Sequence, residues 1–155
     1  MFNKREPFQI MTRRFGLLNK VCCSVDGHDL SAAQSHILYE IDRKELPSIQ
    51  QVAEMLGTDL TTFSRQIQAL IKMGLVQKAP LPNDRRVSVL SLTIEGQGVA
   101  DKIDQQMNSY LDEVLSYLTP FEQETVMRSI QLFNEAMAKS DRCCNPIAES
   151  TKKLE

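Results

Sequence analysis

Apolar residues recur along this chain at helical spacing, interrupted at a few glycine and proline positions. Met11, Phe15, Leu18, Cys22 and Val25 alternate steps of four and three, which predicts a first helix from about Pro7 to about Val25. "SVDGHDL" breaks it. Ser31 then has the form of an N-cap with Gln34 as its capping-box partner, and Ile37, Leu38 and Ile41 make the buried side of a second helix. "KELPS" is a break, because Pro47 disfavours helix at the residue before it. Ser48 and Gln51 repeat the capping pattern, and Ile49, Val52, Ala53 and Leu56 give a short helix face that Gly57 ends. Thr58 or Asp59 caps the next helix, predicted to turn Leu60, Phe63, Ile67, Leu70 and Ile71 inward before Gly74 stops it.

After Gly74 the period changes. "LVQKAP" and "RVSVLSLT" are rich in β-branched residues and are separated by "LPND", which predicts a β-hairpin with a loop longer than two residues. Thr93 caps a helix running to about Leu118, with a seam of Val99, Ile103, Met107, Tyr110 or Leu111, Val114 and Leu118. Such a helix is about 39 Å long, more than a small helical module can cover. Thr119-Pro120-Phe121-Glu122 is a restart, with Pro at the first helical position, and Phe121, Val126, Ile130, Phe133 and Met137 follow.

Two short helices joined through a glycine turn and followed by a hairpin are a winged helix-turn-helix. The expected fold is therefore mainly α with a small β-hairpin wing. Residues 31–92 form the winged helix-turn-helix. Residues 1–30 and 119–145 form a helical dimerisation region, with 93–118 as a long connecting helix and 146–155 as a polar tail. The seams of the first and last two helices exceed what one winged domain can cover. A two-fold pairing buries them and sets two reading helices on one face.

Charge sharpens this picture. The net charge is −2, so a uniformly basic nucleic-acid binder is excluded. Yet residues 49–94 hold five cations (Arg65, Lys72, Lys78, Arg85, Arg86) against three acids, while residues 95–155 hold six against eleven. One surface faces anions and the rest is a solvated acidic scaffold. The second short helix points Thr61, Thr62, Ser64, Arg65, Gln66, Gln68 and Lys72 outward, a mixture of hydroxyls, amides and cations suited to base edges and phosphates. Ser48 and Gln50 open the preceding helix, where a phosphate fits a helix N-terminus. At the hairpin tip, Arg86 is assigned to a minor groove and Arg85 to phosphate, exchangeably. Asp84 is expected to pair with one of the two guanidinium groups.

The run "SIQQVAEMLGTDLTTFSRQIQALIKMGLVQKAPLPNDRRVSVLSLTIEG" resembles the winged-helix core of the MarR family of bacterial transcription regulators. "TTFSRQIQALIKMGLV", the "DRR" wing and "LSLTIEG" carry the resemblance, and the flanking helices extend it over nearly the whole chain. It implies an obligate homodimer on double-stranded DNA, a pseudo-palindromic operator and, usually, repression. It also implies release by a small effector: an amphipathic molecule, an oxidant or a metal. The wing's Asp-x-Arg element corresponds to Asp84 and Arg86.

The effector is the least legible part. Cys22-Cys23 and Cys143-Cys144 are adjacent pairs near the two ends, suited to oxidation or to a soft metalloid. Against this stands a plain reading: Cys22 a small core residue, the tail pair merely exposed. No Cys-x-x-Cys spacing occurs. His36 resembles a helix-2 position of the family's zinc-responsive branch, but residues 95–118 contain no histidine, so no metal site is expected. For an organic ligand the expected place is the cleft between the first two helices and the winged domain, lined by Phe15, His36 and Tyr39.

No phosphate loop or nucleophile constellation marks an enzyme, and no cofactor is expected. The N-terminal segment lacks a signal-peptide apolar block, which leads to a cytoplasmic expectation with no membrane partner. The rival reading is a winged-helix protein-interaction module that does not bind DNA.

Overall fold

The computed structural model describes residues 3–140. Its elements run α1 (Arg5–Arg14), β1 (Cys23–Val25), β2 (His28–Leu30), α2 (Ala32–Arg43), α3 (Ile49–Leu56), α4 (Leu60–Lys72), β3 (Val76–Leu81), β4 (Asp84–Leu92), α5 (Ile94–Ser116) and α6 (Pro120–Ala138). The two sheets are separate antiparallel hairpins, β1–β2 and β3–β4.

The helix starts follow their side chains. Ser31, Ser48 and Thr119 each accept the backbone N–H of the residue three on, and Gln34, Gln51 and Glu122 reach back to the cap, closing three capping boxes. Asp59 rather than Thr58 caps α4, accepting the Thr62 N–H at 2.9 Å. Thr93 caps α5, and its hydroxyl also donates to the Gly74 carbonyl at 2.6 Å. This bond ties the end of the helix-turn-helix to the start of the long helix.

One core holds the winged domain together. Ile37, Leu38 and Ile41 of α2 meet Val52 and Ala53 of α3, Phe63, Ile67 and Leu70 of α4, and Val99, Ala100 and Ile103 of α5. Leu75, Val76 and Leu90 close it from the wing side. Pro47 interrupts the chain and its carbonyl accepts the Leu90 N–H at 2.8 Å, joining the α2–α3 loop to β4.

The first helix is shorter than its periodicity predicts. It ends at Arg14, and Gly16 follows at φ 74°, a left-handed conformation that stops the helix. Residues 23–30 fold instead as a hairpin over Asp26-Gly27, both at positive φ, which is the tight-turn chemistry of an Asp-Gly pair. The expected single stripe is thus divided. Met11, Phe15 and Leu18 are exposed, while Val25 joins the core from β1. The hairpin is held to α5 by Lys102–Asp26 at 2.6 Å and His28–Glu95 at 3.0 Å. His28 is the first residue of β2. A second correction concerns Leu60. It is the first residue of α4 and points to solvent at 57% exposure, because a helix's first turn overhangs the core.

Beyond Ile103 the long helix leaves the core. Met107, Tyr110 and Val114 are exposed, and α6 has no buried residue. Phe8 of α1 stacks on Phe133 of α6 with ring centroids 5.2 Å apart.

Candidate nucleic-acid interface

Helix α4 divides its residues by angle. At about 100° per residue, the buried residues Phe63, Ile67 and Leu70 cluster on one side. Thr61, Arg65, Gln68 and Lys72, spaced four, three and four, fall on the opposite side and are exposed. These four form a continuous polar stripe. Ser64 is exposed on one flank, and Thr62 with half-buried Gln66 occupies the other. Thr62 and Gln66, expected on the outward face, instead line a cleft against α2. Ser48 and Gln50 lie at the start of α3, where the Ser48 hydroxyl is engaged as the cap and the Gln50 amide donates to Glu54 at 2.9 Å.

The wing is tighter than predicted. Strands β3 and β4 turn over only Pro82 and Asn83, because pairing continues to Leu81 opposite Asp84. The register runs evenly from Val76–Leu92 to Pro80–Ser88 and then jumps to Leu81–Asp84. Arg85, Arg86 and Val87 therefore have no cross-strand partner, and this bulge pushes the two arginines out of the ladder. Asp84 does not grip a guanidinium. Its carboxylate accepts the Arg86 backbone N–H at 3.0 Å, a two-residue Asp turn that shapes the bulge. The local hydrogen bond wins because it needs no long side chain to be immobilised.

All five cations of residues 49–94 are free of ion pairs among the described residues, whereas Arg43, Lys44 and Lys102 of the scaffold are paired with acids. Arg43 also lies over the Tyr39 ring at 3.5 Å, and its hydrogen bond to Asp104 raises its pKa above the ordinary value.

The sensing residues are placed differently from expectation. Cys22 is exposed and Cys23 half-buried at the start of β1, not on α1, and the two are joined to each other as a disulfide. Cys143 and Cys144 lie outside the described residues. The predicted ligand residues separate too. Phe15 follows α1 with half its surface exposed, and Tyr39 is engaged by Arg43. Only His36 lines a cleft, and that cleft lies between α2, α3 and α4 rather than beside α1. The first helix ends too early to form its wall. The described residues contain no group of three or more His, Cys, Asp or Glu that could hold a metal, and no helix long and apolar enough to cross a membrane.

Comparison with known proteins agrees with this geometry. The family model described as "MarR family" matches residues 30–88. The chain is 28% identical over 119 residues to the uncharacterized HTH-type transcriptional regulator YybA of Bacillus subtilis, covering 74% of this chain and 79% of that one. Streptococcus pneumoniae FabT, crystallised in complex with DNA, superposes with a TM-score of 0.75 at 16% identity, over 86% of this chain and 94% of that chain. A mutant MarR from E. coli complexed with operator DNA gives a TM-score of 0.66 at 25% identity, over 83% and 91% of the two chains. By these matches residues 30–88 form a MarR-family winged helix-turn-helix domain, and the described chain around it has the same fold as the solved structures.

Proposed function

We propose that this protein is a homodimeric, sequence-specific DNA-binding transcriptional regulator, a repressor released from a pseudo-palindromic operator by a small effector. One observation carries the reading: the exposed stripe Thr61, Arg65, Gln68 and Lys72 lies on the same domain as a wing whose Arg85 and Arg86 are bulged outward and unpaired. The stripe suits a major groove, where hydroxyls, amides and guanidinium groups read base edges. The wing suits the adjacent minor groove, whose negative potential attracts arginine. Ser64 and the α3 start, with Ser48 and Gln50, are positioned for backbone contacts. FabT and MarR, both similar in fold, have each been crystallised with DNA.

The dimer is supported by apolar surface that a single chain leaves in water. Phe8, Met11 and Phe15 around α1 and Val126, Ile130, Phe133 and Met137 of α6 are all at least 38% exposed. Met107, Tyr110 and Val114 continue the same character along α5. Patches of this extent mark association surfaces. Pairing them across a two-fold sets the two α4 helices about one DNA turn apart, roughly 34–36 Å.

For release, the thiol reading rests on Cys22, which is exposed, and Cys23, which packs against the core. The disulfide between them is the oxidised end state, so its formation from the reduced pair, or metalloid capture by that reduced pair, would act on the strand joined to α5. Cys143 and Cys144 remain part of the reading as a second pair.

The test is DNA binding by the purified protein, followed by fluorescence anisotropy on DNA taken upstream of its own coding region. Wild type should bind with an affinity that falls steeply with salt, and Arg86→Ala should bind weakly. A protein that sediments as a single chain, or binds salt-independently, is the interaction module instead. Serine replacement of the four cysteines should abolish induction by peroxide and arsenite; unchanged induction leaves a non-thiol effector.

A further inference from the structure

We infer that α4 reads a thymine methyl group: Leu60, at the entering end of the helix, contacts the methyl of a thymine about two base-pair steps from the guanine that Arg65 takes. The inference rests on the DNA-binding reading above and deepens it, by naming bases that the reading leaves open.

Helix α4 buries Phe63, Ile67 and Leu70, and Ile71 packs against the same core. Leu60 does neither and is 57% exposed. A single exposed leucine is ordinary on a protein surface. What sets this one apart is its place. Leu60 is the first residue of α4, and the next residue, Thr61, begins the outward stripe. Side chains on a helix lean towards its N-terminus, over the preceding turn. The first residue has no preceding turn to cover, so Leu60 projects past the helix end beside Thr61. It stands about 100° round the axis from Thr61 and about 40° from exposed Ser64. In helix-turn-helix proteins the N-terminal residues of the reading helix are the ones that meet base edges. A groove that admits Thr61 therefore admits Leu60.

The chemistry of α4 is graded along its length. The first turn holds no charged side chain. Asp59, just before it, is occupied as the cap and holds Thr62 through the backbone N–H at 2.9 Å and through the hydroxyl. This end of the helix therefore presents the Leu60 side chain and the methyl and hydroxyl of Thr61. Arg65 and Gln68 follow, exposed and, among the described residues, without a side-chain hydrogen bond or ion pair. The major groove has one apolar feature, the thymine methyl, and cytosine lacks it. Leucine neither donates nor accepts a hydrogen bond, so the methyl is the feature of the groove that favours its burial. Arginine matches the two acceptors of guanine as a bidentate pair. Spacing then sets the register. From Leu60 to Arg65 the helix rises roughly 7.5 Å, which is about two base-pair steps of DNA.

The test removes the methyl from the DNA and the leucine from the protein. Duplexes with a randomised central segment are selected on the purified full-length protein, and the recovered site is synthesised with each thymine in turn replaced by deoxyuridine. That replacement deletes the methyl group and keeps the base pair. The methyl lies in the major groove, so arginines in the minor groove do not sense it. Fluorescence anisotropy of wild type should find one thymine per half-site whose replacement weakens binding about fourfold, and about fifteenfold when both half-sites are changed. Leu60→Ala should bind thymine and deoxyuridine duplexes alike. Arg65→Ala should keep the deoxyuridine penalty and lose the preference for guanine about two steps away. At the sensitive step, 5-methylcytosine should bind wild type more tightly than cytosine does, and Leu60→Ala should not distinguish them. Leu60 lies outside the core, and circular dichroism checks that its replacement leaves the fold intact. A site with no methyl-sensitive thymine, a penalty that survives in Leu60→Ala, or an Arg65-dependent guanine elsewhere overturns the inference while the regulator reading stands. Failure of wild type to bind any duplex overturns the regulator reading and the inference with it.

Discussion

Gly96→Ala should destabilise the fold, although the same change at an ordinary helix position stabilises it. Gly96 is in the first turn of α5 and buried against the backbone of Leu75. A methyl group there would overlap the Leu75 carbonyl oxygen, and it would lie 2.8 Å from the carbonyl carbon and 3.1 Å from the Cα. These are backbone atoms and cannot rotate aside. Restoring the tightest contact, from the methyl to the carbonyl oxygen, to about 3.3 Å requires α5 to retreat from the Gly74–Leu75 segment by roughly 1.4 Å. That retreat stretches two hydrogen bonds, Thr93 hydroxyl to Gly74 carbonyl at 2.6 Å and Thr93 N–H to Leu75 carbonyl at 3.1 Å. Overpacking costs about 1–3 kcal/mol, and each weakened bond about 0.5–1.5 kcal/mol. The alanine gains only about 0.5–1 kcal/mol from helix propensity. The net loss is about 2–4 kcal/mol, a large part of a typical domain's stability. Gly98, one half-turn along, is the control, since a Cβ there meets nothing within 4 Å. Gly98→Ala should be more stable than wild type by about 0.5–1 kcal/mol. Urea unfolding followed by circular dichroism at one fixed protein concentration measures both. A Gly96→Ala midpoint at or above that of wild type would refute the close approach of α5 to Leu75.

Ser48→Ala removes the α3 capping box and should lower stability by about 1 kcal/mol in the same urea assay; no change would mean that Gln51 alone holds the helix start. Asp59 has its carboxyl pKa lowered from 3.8, chiefly by the hydrogen bond from the Thr62 backbone. A lowered folded pKa contributes stability that is present above the unfolded value and lost as pH falls through the folded one. Asp59→Asn keeps a capping oxygen without a titrating proton, so its urea midpoint should drop less than wild type's between neutral pH and pH values below 3.8; parallel drops contradict this. Arg65→Ala should cost about 1–3 kcal/mol of operator binding and relax base preference at one position, whereas Lys72→Ala should weaken all sequences alike and reduce the salt slope by about one. Anisotropy on operator variants distinguishes them, and identical behaviour of the two variants removes Arg65 from base reading.

Local chemistry determined much of this protein. Ser31, Ser48 and Thr119, each with its partner three residues on, start their helices where the sequence indicates, because a cap is settled within one turn of chain. The outward stripe of α4 follows from spacing alone for Thr61, Arg65, Gln68 and Lys72. The errors arise where a local preference met a longer-range competitor. Residues 15–25 carry a helical period, yet Gly16 and the Asp26-Gly27 turn divert them into a hairpin whose Val25 and Leu30 are buried in the winged-domain core. The Asp-Gly pair is the local signal for the turn, and the helical period of residues 15–25 masks it. Thr62 and Gln66 pass for surface residues in one dimension, since only the packing of α2 across α4 makes their flank a cleft. The same holds for Asp84: its sequence neighbours suggest an ion pair, but the strand register decides that its carboxylate meets a backbone N–H. Side-chain identity and spacing set which elements form and which face is polar. Which of those faces meet, and where a space remains between them, depends on contacts between residues far apart in the chain, and those arise only when the core packs.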